Sequence, residues 1–372
     1  MAVNYKPVLW YRSKYIYDGV LILGIVAYIA LYLHGGALFQ TWLSGAAQPT
    51  GAPARSLPDD LVLRMRAFGS CAFILLSVIL CIGPLARLDR RFLPLLYNRR
   101  HFGVITFSVA AVHASYVLGW YFNFSSIAPY PALLGSNTDF GQLLGFPFEV
   151  FGIVALVVLM VLAVTSHDFW LSFLSPPVWK SLHMMIYVAY AALVLHVGLG
   201  AFQADASPFF VALVFMSVFC VCGLHLVAAL REGRVDAGGA DYSRRDGFIV
   251  AGRVGDIANN RALVVVLEGD ERVAIFRYSG KLSAVTNACA HQNGPLGEGR
   301  IIGGCITCPW HGYQYRPEDG CAPPPFREKL ATYNLKLDGD LILLDPRANP
   351  PGTAVPPVHI PEEIINAEAM AS

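Results

Sequence analysis

The spacing of hydrophobic positions changes character once along the chain. Up to about residue 230, apolar residues fill six long runs, near Gly19–Leu38, Ala67–Leu85, Phe102–Tyr121, Phe146–Thr165, Leu182–Phe202 and Pro208–Leu230. Each holds about 20 residues, the length an α-helix needs to cross ~30 Å of hydrocarbon. A run with no polar stripe predicts a helix surrounded by lipid or by other helices. After Tyr242 the runs shorten. Phe248–Val250, Ala262–Leu267, Val273–Phe276, Ala284–Thr286 and Leu341–Leu344 are β-rich and separated by Gly, Asp and Asn turns, the pattern of a small all-β domain. The fold class expected is multi-domain, an all-α six-helix transmembrane bundle followed by a small all-β domain. The expected boundaries are 1–234 for the bundle, 235–241 for a Gly/Ala-rich linker, 242–345 for the β domain, and 346–372 for a Pro/Ala-rich, disordered tail.

Composition supports the membrane reading. Of 372 residues, 55% are hydrophobic and 14% charged, against about 25% charged in soluble domains. The net charge of +1 gives no basis for nucleic acid as a partner. The first run follows a charged start but lacks a small-residue cleavage site, so it reads as a span rather than a removable signal. Basic residues assign the sides. Lys6, Arg12 and Lys14 precede the first run; Arg87, Arg90, Arg91, Arg99 and Arg100 join the second to the third; Lys180, Arg231 and Arg234 lie on later loops of the same side. The opposite loops, 43–60, 122–145 and 203–207, carry only Arg55, although Arg64 and Arg66 begin the second span from that side. Both termini and the β domain are therefore expected in the cytoplasm of a cell whose inner membrane the chain spans.

Eight cysteines do not form a disulfide framework. Cys71, Cys81, Cys220 and Cys222 fall inside apolar runs and read as small core residues. The informative pair lies in the β domain. Cys289-Ala290-His291 is followed, after sixteen residues, by Cys308-Pro309-Trp310-His311. Two Cys and two His suit tetrahedral zinc, but zinc fingers group Cys with Cys and His with His, whereas each short loop here supplies one of each. That arrangement resembles the ligand set of a Rieske [2Fe–2S] cluster, in which two histidines replace two cysteines on one iron. The Cys308–Gly312 run, Tyr313, Tyr315 and Pro323–Pro325 are also similar to the second cluster loop and proline-rich covering loop of Rieske domains. The resemblance implies Cys289, His291, Cys308 and His311 as ligands. Asn293–Pro295 and Trp310 occupy the places where bc-type members carry a loop disulfide, and Tyr313 replaces their sulfur-supporting serine. Both departures point to a low-potential, ferredoxin-like cluster.

Ionisable groups at membrane depth are costly and face a cavity, a partner or a cofactor. His113 lies about 18 Å along the third helix, and His196 about 19.5 Å along the fifth counted from His183. Two imidazoles at similar depth suit bis-axial haem ligation; two hydrogen-bonded core histidines are the alternative. The surroundings resemble the ferric-reductase-like transmembrane superfamily, which includes NADPH oxidases and the haem-binding membrane subunit of methionine-sulfoxide reductase. Asn98–Val104 with His113 is similar to the third helix of that superfamily, and Lys180–His183 with His196 to its fifth. Arg64–Gly69 is similar to the arginine-bearing start of its second helix. The resemblance implies heme b between His113 and His196, with Arg66 as a partner for a propionate or an outer substrate. A second haem on His183 is left without a named opposite ligand. Two-haem members carry a second histidine fourteen positions before the first, where this chain has Arg99; His101 is twelve before and out of phase.

These readings imply an oxidoreductase component. An NAD(P)H-dependent cytosolic reductase would feed the cluster, and electrons would pass through haem to an acceptor at the outer face. The alternative is a membrane-tethered Rieske ferredoxin or redox sensor serving a partner protein. A Rieske oxygenase needs a mononuclear iron held in a large following domain, and about 27 residues follow Leu344. No Gly-rich dinucleotide loop is evident.

Overall fold

The computed structural model describes residues 12–365 except 45–55, 97, 168–169, 171–172, 175, 205–207, 239–241, 268–270, 292, 310–311 and 325. Two compact units divide the chain, residues 10–83 with 98–225, and residues 84–97 and 226–372 together with the first nine.

The long apolar runs form helices α1 (Arg12–Ser44), α2 (Leu57–Leu88), α4 (Arg99–Phe124), α6 (Glu149–Val164), α8 (Ile186–Ala204) and α9 (Pro208–Gly238). Three short helices connect them, α3 (Leu93–Leu96), α5 (Pro129–Gly135) and α7 (Pro176–Met184). Five of the long helices meet the length and hydropathy needed to cross a bilayer, and α6 is a shorter apolar helix of 16 residues. The chain is a multi-pass membrane protein. Phe215, Met216 and Phe219 of α9 and Leu23 of α1 are left exposed, as side chains facing lipid would be, while α2 turns Ala67, Phe73, Leu76 and Ile82 fully inward. Phe73 stacks on Tyr190 of α8 at 6.0 Å, a core shared with Leu159 of α6 and Val221 of α9.

Three expectations change. The fifth run is broken at Met185, whose N–H turns back to the Leu182 carbonyl, so helical phase cannot be carried from His183 to His196. The proposed linker at 235–241 is helical up to Gly238, and 239–241 lie outside the described residues. Cys220 and Cys222 are exposed rather than core; they flank Val221, which alone of the three faces inward.

The second unit carries the β domain. One sheet runs in the order β1 (Arg244–Arg245), β2 (Phe248–Arg253), β11 (Leu341–Leu344), β10 (Leu335–Asp338). A second runs β12 (Val358–His359), β5 (Lys281–Thr286), β4 (Arg272–Tyr278), β3 (Arg261–Val266), with β9 (Thr332–Tyr333) also paired to β5. A third, small sheet joins β6 (Arg300–Ile302), β7 (Cys305–Thr307) and β8 (Gln314–Tyr315). All pairings are antiparallel. Residues alternate across each strand, so Val265, Val273, Ile275, Leu282 and Ile342 meet in a core between the first two sheets.

The tail is ordered up to Ile365, contrary to expectation. Val358 and His359 pair with Leu282 and Lys281, and Ile360, Ile364 and Ile365 close on the core. Apolar side chains placed among prolines can be buried by an already extended chain at low entropic cost, which composition alone does not reveal. Within this unit, Arg272 of β4 pairs with Glu232 of α9 at 2.7 Å, and Arg87 of α2 lies 3.9 Å from Glu298.

Candidate redox centres

The first cluster loop is a closed turn beyond β5. Ala288 bridges Pro295, Cys289 donates its N–H to the Gly294 carbonyl, and Asn293 returns an N–H to the Cys289 carbonyl with φ of 57°. The second loop joins β7 to β8: Cys308 N–H donates to Tyr313 O, and Gly312 N–H, at φ 71°, donates to Cys308 O. Both loops bury their predicted ligands, with Cys289 0%, Cys308 1% and His291 4% exposed. His311 and Trp310 lie outside the described residues. Among the described residues, no three His, Cys, Asp or Glu side chains stand together as a ready metal-holding group. Two buried thiols and a buried imidazole, set in two turns at one end of the domain, still fit the donor set of a Rieske cluster.

Aromatic side chains build the walls. The Tyr313 ring stacks on His291 at 4.5 Å, and Phe326 of the covering segment packs on Tyr313 at 4.8 Å. The Tyr313 hydroxyl donates to Glu328; burial, aided by that carboxylate, holds its pKa far above the usual range. The Tyr315 hydroxyl stands 3.3 Å from Cys289 Sγ and accepts the His291 N–H at 3.2 Å. Burial and the Cys289 charge keep Tyr315 protonated, so it donates to a thiolate sulfur. The sequence marked both tyrosines as bulky, but Glu328 carried no local signal.

In the bundle, α4 and α8 bring His113 and His196 together, ring centroids 6.3 Å apart and planes at 75°. Two imidazole nitrogens each about 2 Å from one metal place their ring centroids roughly 6 Å apart, so the pair fits bis-axial haem. His113 donates Nδ1–H to the Met65 carbonyl at 2.9 Å, and His196 donates to the Phe148 carbonyl at 3.0 Å. A carbonyl only accepts, so each ring keeps its lone pair on Nε2, as metal-bound histidines with a carbonyl partner do. Backbone partners of this kind leave no trace in sequence. Arg66 follows Met65 directly, and its field reaches Tyr32 of α1.

His183 sits in the last turn of α7, stacked on Trp179 at 3.4 Å. Its Nδ1–H donates to the Trp179 carbonyl at 3.1 Å, and Nε2 is buried without a hydrogen bond. Arg100 and Arg99 lie within electrostatic reach of it. His101 turns to Asp18 of α1, 2.9 Å away, a partner that sequence reasoning did not identify. His225 bonds the Val221 carbonyl and the Tyr187 hydroxyl. Glu149 is buried and accepts from Ser136 at 3.1 Å and from Asn137.

Comparison with known proteins finds two family matches along the chain. Residues 247–334 match the family described as Rieske [2Fe-2S] domain, and residues 68–194 match ferric reductase like transmembrane component. Cholesterol 7-desaturase nvd of Xenopus laevis is 39% identical over 66 residues, 17% of this chain and 14% of its own length. The chain thus spans about a seventh of that relative. The ferredoxin component of the naphthalene 1,2-dioxygenase system of Pseudomonas putida is 29% identical over 101 residues, 26% of this chain and 94% of its own length. Among solved structures, the ferredoxin of carbazole 1,9a-dioxygenase from Nocardioides aromaticivorans IC177 aligns over 27% of this chain and all of its own, at 20% identity and a TM-score of 0.26. The chain joins a ferric-reductase-like transmembrane domain, over residues 68–194, to a Rieske [2Fe–2S] domain, over residues 247–334.

Proposed function

We propose that the chain carries single electrons across a bilayer, from a cytosolic NAD(P)H-dependent reductase through the Rieske domain and the bundle to an acceptor at the outer face. The observation that supports this best is the His113–His196 pair, 6.3 Å apart in the bundle of a chain that also bears the Rieske loops. When bound, a [2Fe–2S] cluster and b-type haem supply the one-electron chemistry that side chains lack.

The side chains hold, orient and exclude water. Cys289, Cys308, His291 and His311 would hold the cluster. Tyr313 and Phe326 shield His291 from solvent, and the Tyr315 hydroxyl steadies the Cys289 sulfur. The Met65 and Phe148 carbonyls fix the His113 and His196 tautomers, so that Nε2 of each would be free to hold haem iron. Arg66, next to Met65, offers its guanidinium to a propionate or to the acceptor. The buried Nε2 of His183 would be available to a second haem, whose opposite ligand is not assigned. In this reading the Rieske domain and both termini lie on the cytoplasmic side, which the basic residues of the loops support. The low-potential features of the cluster loops set the direction of flow, so a cluster midpoint below zero is expected and a strongly positive one would reverse it.

Absorption spectra of the purified full-length protein test the reading. The b-type α and Soret bands should accompany the broad cluster absorption, and His113→Ala or His196→Ala should remove the outer-haem contribution while the cluster stays. A full cluster with no haem in the wild type would leave the second reading, a membrane-tethered ferredoxin or redox sensor. That reading draws on the match along 94% of the naphthalene dioxygenase ferredoxin. Mixing reduced protein with oxygen, ferric chelates or a sulfoxide-reductase partner then identifies what reoxidises it.

A further inference from the structure

The two bundle histidines are held by one device built twice. On α2, the Met65 carbonyl takes the His113 Nδ1–H, and the Gly69 backbone lies over the face of the same ring: a Cβ there would stand 2.9 Å from Nδ1, 3.0 Å from Cε1 and 3.6 Å from Cγ. At the start of α6, the Phe148 carbonyl takes the His196 Nδ1–H, and a Cβ on Gly152 would stand 2.8 Å from both Nδ1 and Cε1. In each case a carbonyl and a glycine four residues later lie one helical turn apart on the same face. The local sequences correspond, Arg66-Ala67-Phe68-Gly69 and Glu149-Val150-Phe151-Gly152, each a charge, an aliphatic residue, Phe and Gly. Glycine inside a helix costs about 1 kcal/mol relative to alanine. At these two positions the imidazole face supplies the steric reason for it.

We propose that Gly69 and Gly152 are positioning residues for the outer haem. Together with the two carbonyls they form matched seats that fix each ring's rotation and hold the two planes near the observed 75°. The inference rests on His113 and His196 being the axial ligands. The Ala variants of those two histidines test that reading separately, since wild-type protein without haem would end it before the glycines were addressed.

Gly69→Ala and Gly152→Ala are made in the full chain, with Gly119→Ala as control, because a Cβ on Gly119 meets nothing within 4 Å. Haem affinity and the low-spin ferric EPR signal of the oxidised protein, whose anisotropy follows the angle between axial ring planes, are measured, with the Rieske signal of a separately reduced aliquot as the standard for protein amount. Each seat variant should keep the cluster, hold haem about ten-fold or more weakly, and show shifted g values; Gly119→Ala should match wild type. Should Gly69→Ala accumulate poorly, His113→Ala/Gly69→Ala distinguishes ring contact from general damage. Without the ring the added methyl has room, so the double variant should accumulate as His113→Ala does. Wild-type affinity and unchanged g values in both seat variants would overturn the proposal. An equal accumulation deficit with and without the His113 ring would overturn it too.

Discussion

Replacing Tyr315 by Phe removes one oxygen atom next to the proposed cluster and little else. The hydroxyl has a single proton, given to Cys289 Sγ at 3.3 Å, while its oxygen accepts the His291 N–H at 3.2 Å. The ring is fully buried, and Phe fills the same space. A hydrogen bond to a ligand sulfur stabilises the reduced, more negative cluster more than the oxidised one. If that preference equals the net worth of an ordinary hydrogen bond, about 0.5–1.5 kcal/mol, its loss lowers a one-electron midpoint by roughly 20–65 mV. An EPR-monitored redox titration of the Rieske signal in the purified full chain reads the shift directly, with Tyr313→Phe, whose hydroxyl faces Glu328, as a comparison. An unchanged or raised midpoint in Tyr315→Phe, with the cluster fully retained, would refute the assignment of Cys289 as a cluster ligand supported by this hydroxyl.

Other perturbations test separate parts of the structure. Gly299→Ala would place a Cβ 2.2 Å from the Thr307 carbonyl oxygen; the overpacking should cost about 1–3 kcal/mol and lower the thermal midpoint followed by visible circular dichroism of the cluster. Burial lifts the Tyr278 hydroxyl to about 12, with Ser283 opposing and Glu318 reinforcing. A folded pKa above the unfolded value of about 10 means its stabilisation is complete below pH 10 and lost as pH rises from there toward 12. In an alkaline titration of the cluster signal, Tyr278→Phe should therefore move the onset of loss upward. His101→Ala should leave the haem bands intact because, twelve positions before His113, it lies about 120° round α4 from it; a vanished haem band in that variant would make His101 a ligand.

The readable parts of the sequence were those where chemistry forces residue type and spacing together. Cys289, His291 and Cys308 are recognisable because a mixed-ligand iron site needs one Cys and one His in each short loop. His113 and His196 stand out because an imidazole at bilayer depth demands an explanation. The rest depended on partners far away in sequence. Nothing near Met185 announces a helix break, since the residues on either side are good helix formers. The exposed Cys220 and Cys222 show that an apolar run in a membrane helix does not say which side is core, because lipid and protein interior favour the same residues. The tail misled for the opposite reason: its prolines suggested disorder, yet they pre-extend a strand whose isoleucines complete the core.

That tail bears on how the protein is made. Its backbone is tied to the 318–332 segment: Val355 N–H bonds the Glu318 carbonyl, and Gly352 N–H bonds the Leu330 carbonyl. The same segment carries Phe326 over Tyr313 and His291. During synthesis, Cys289 and Cys308 therefore emerge from the ribosome well before the residues that fasten the lid over them. The ligand loops pass through an interval in which they are translated but uncovered.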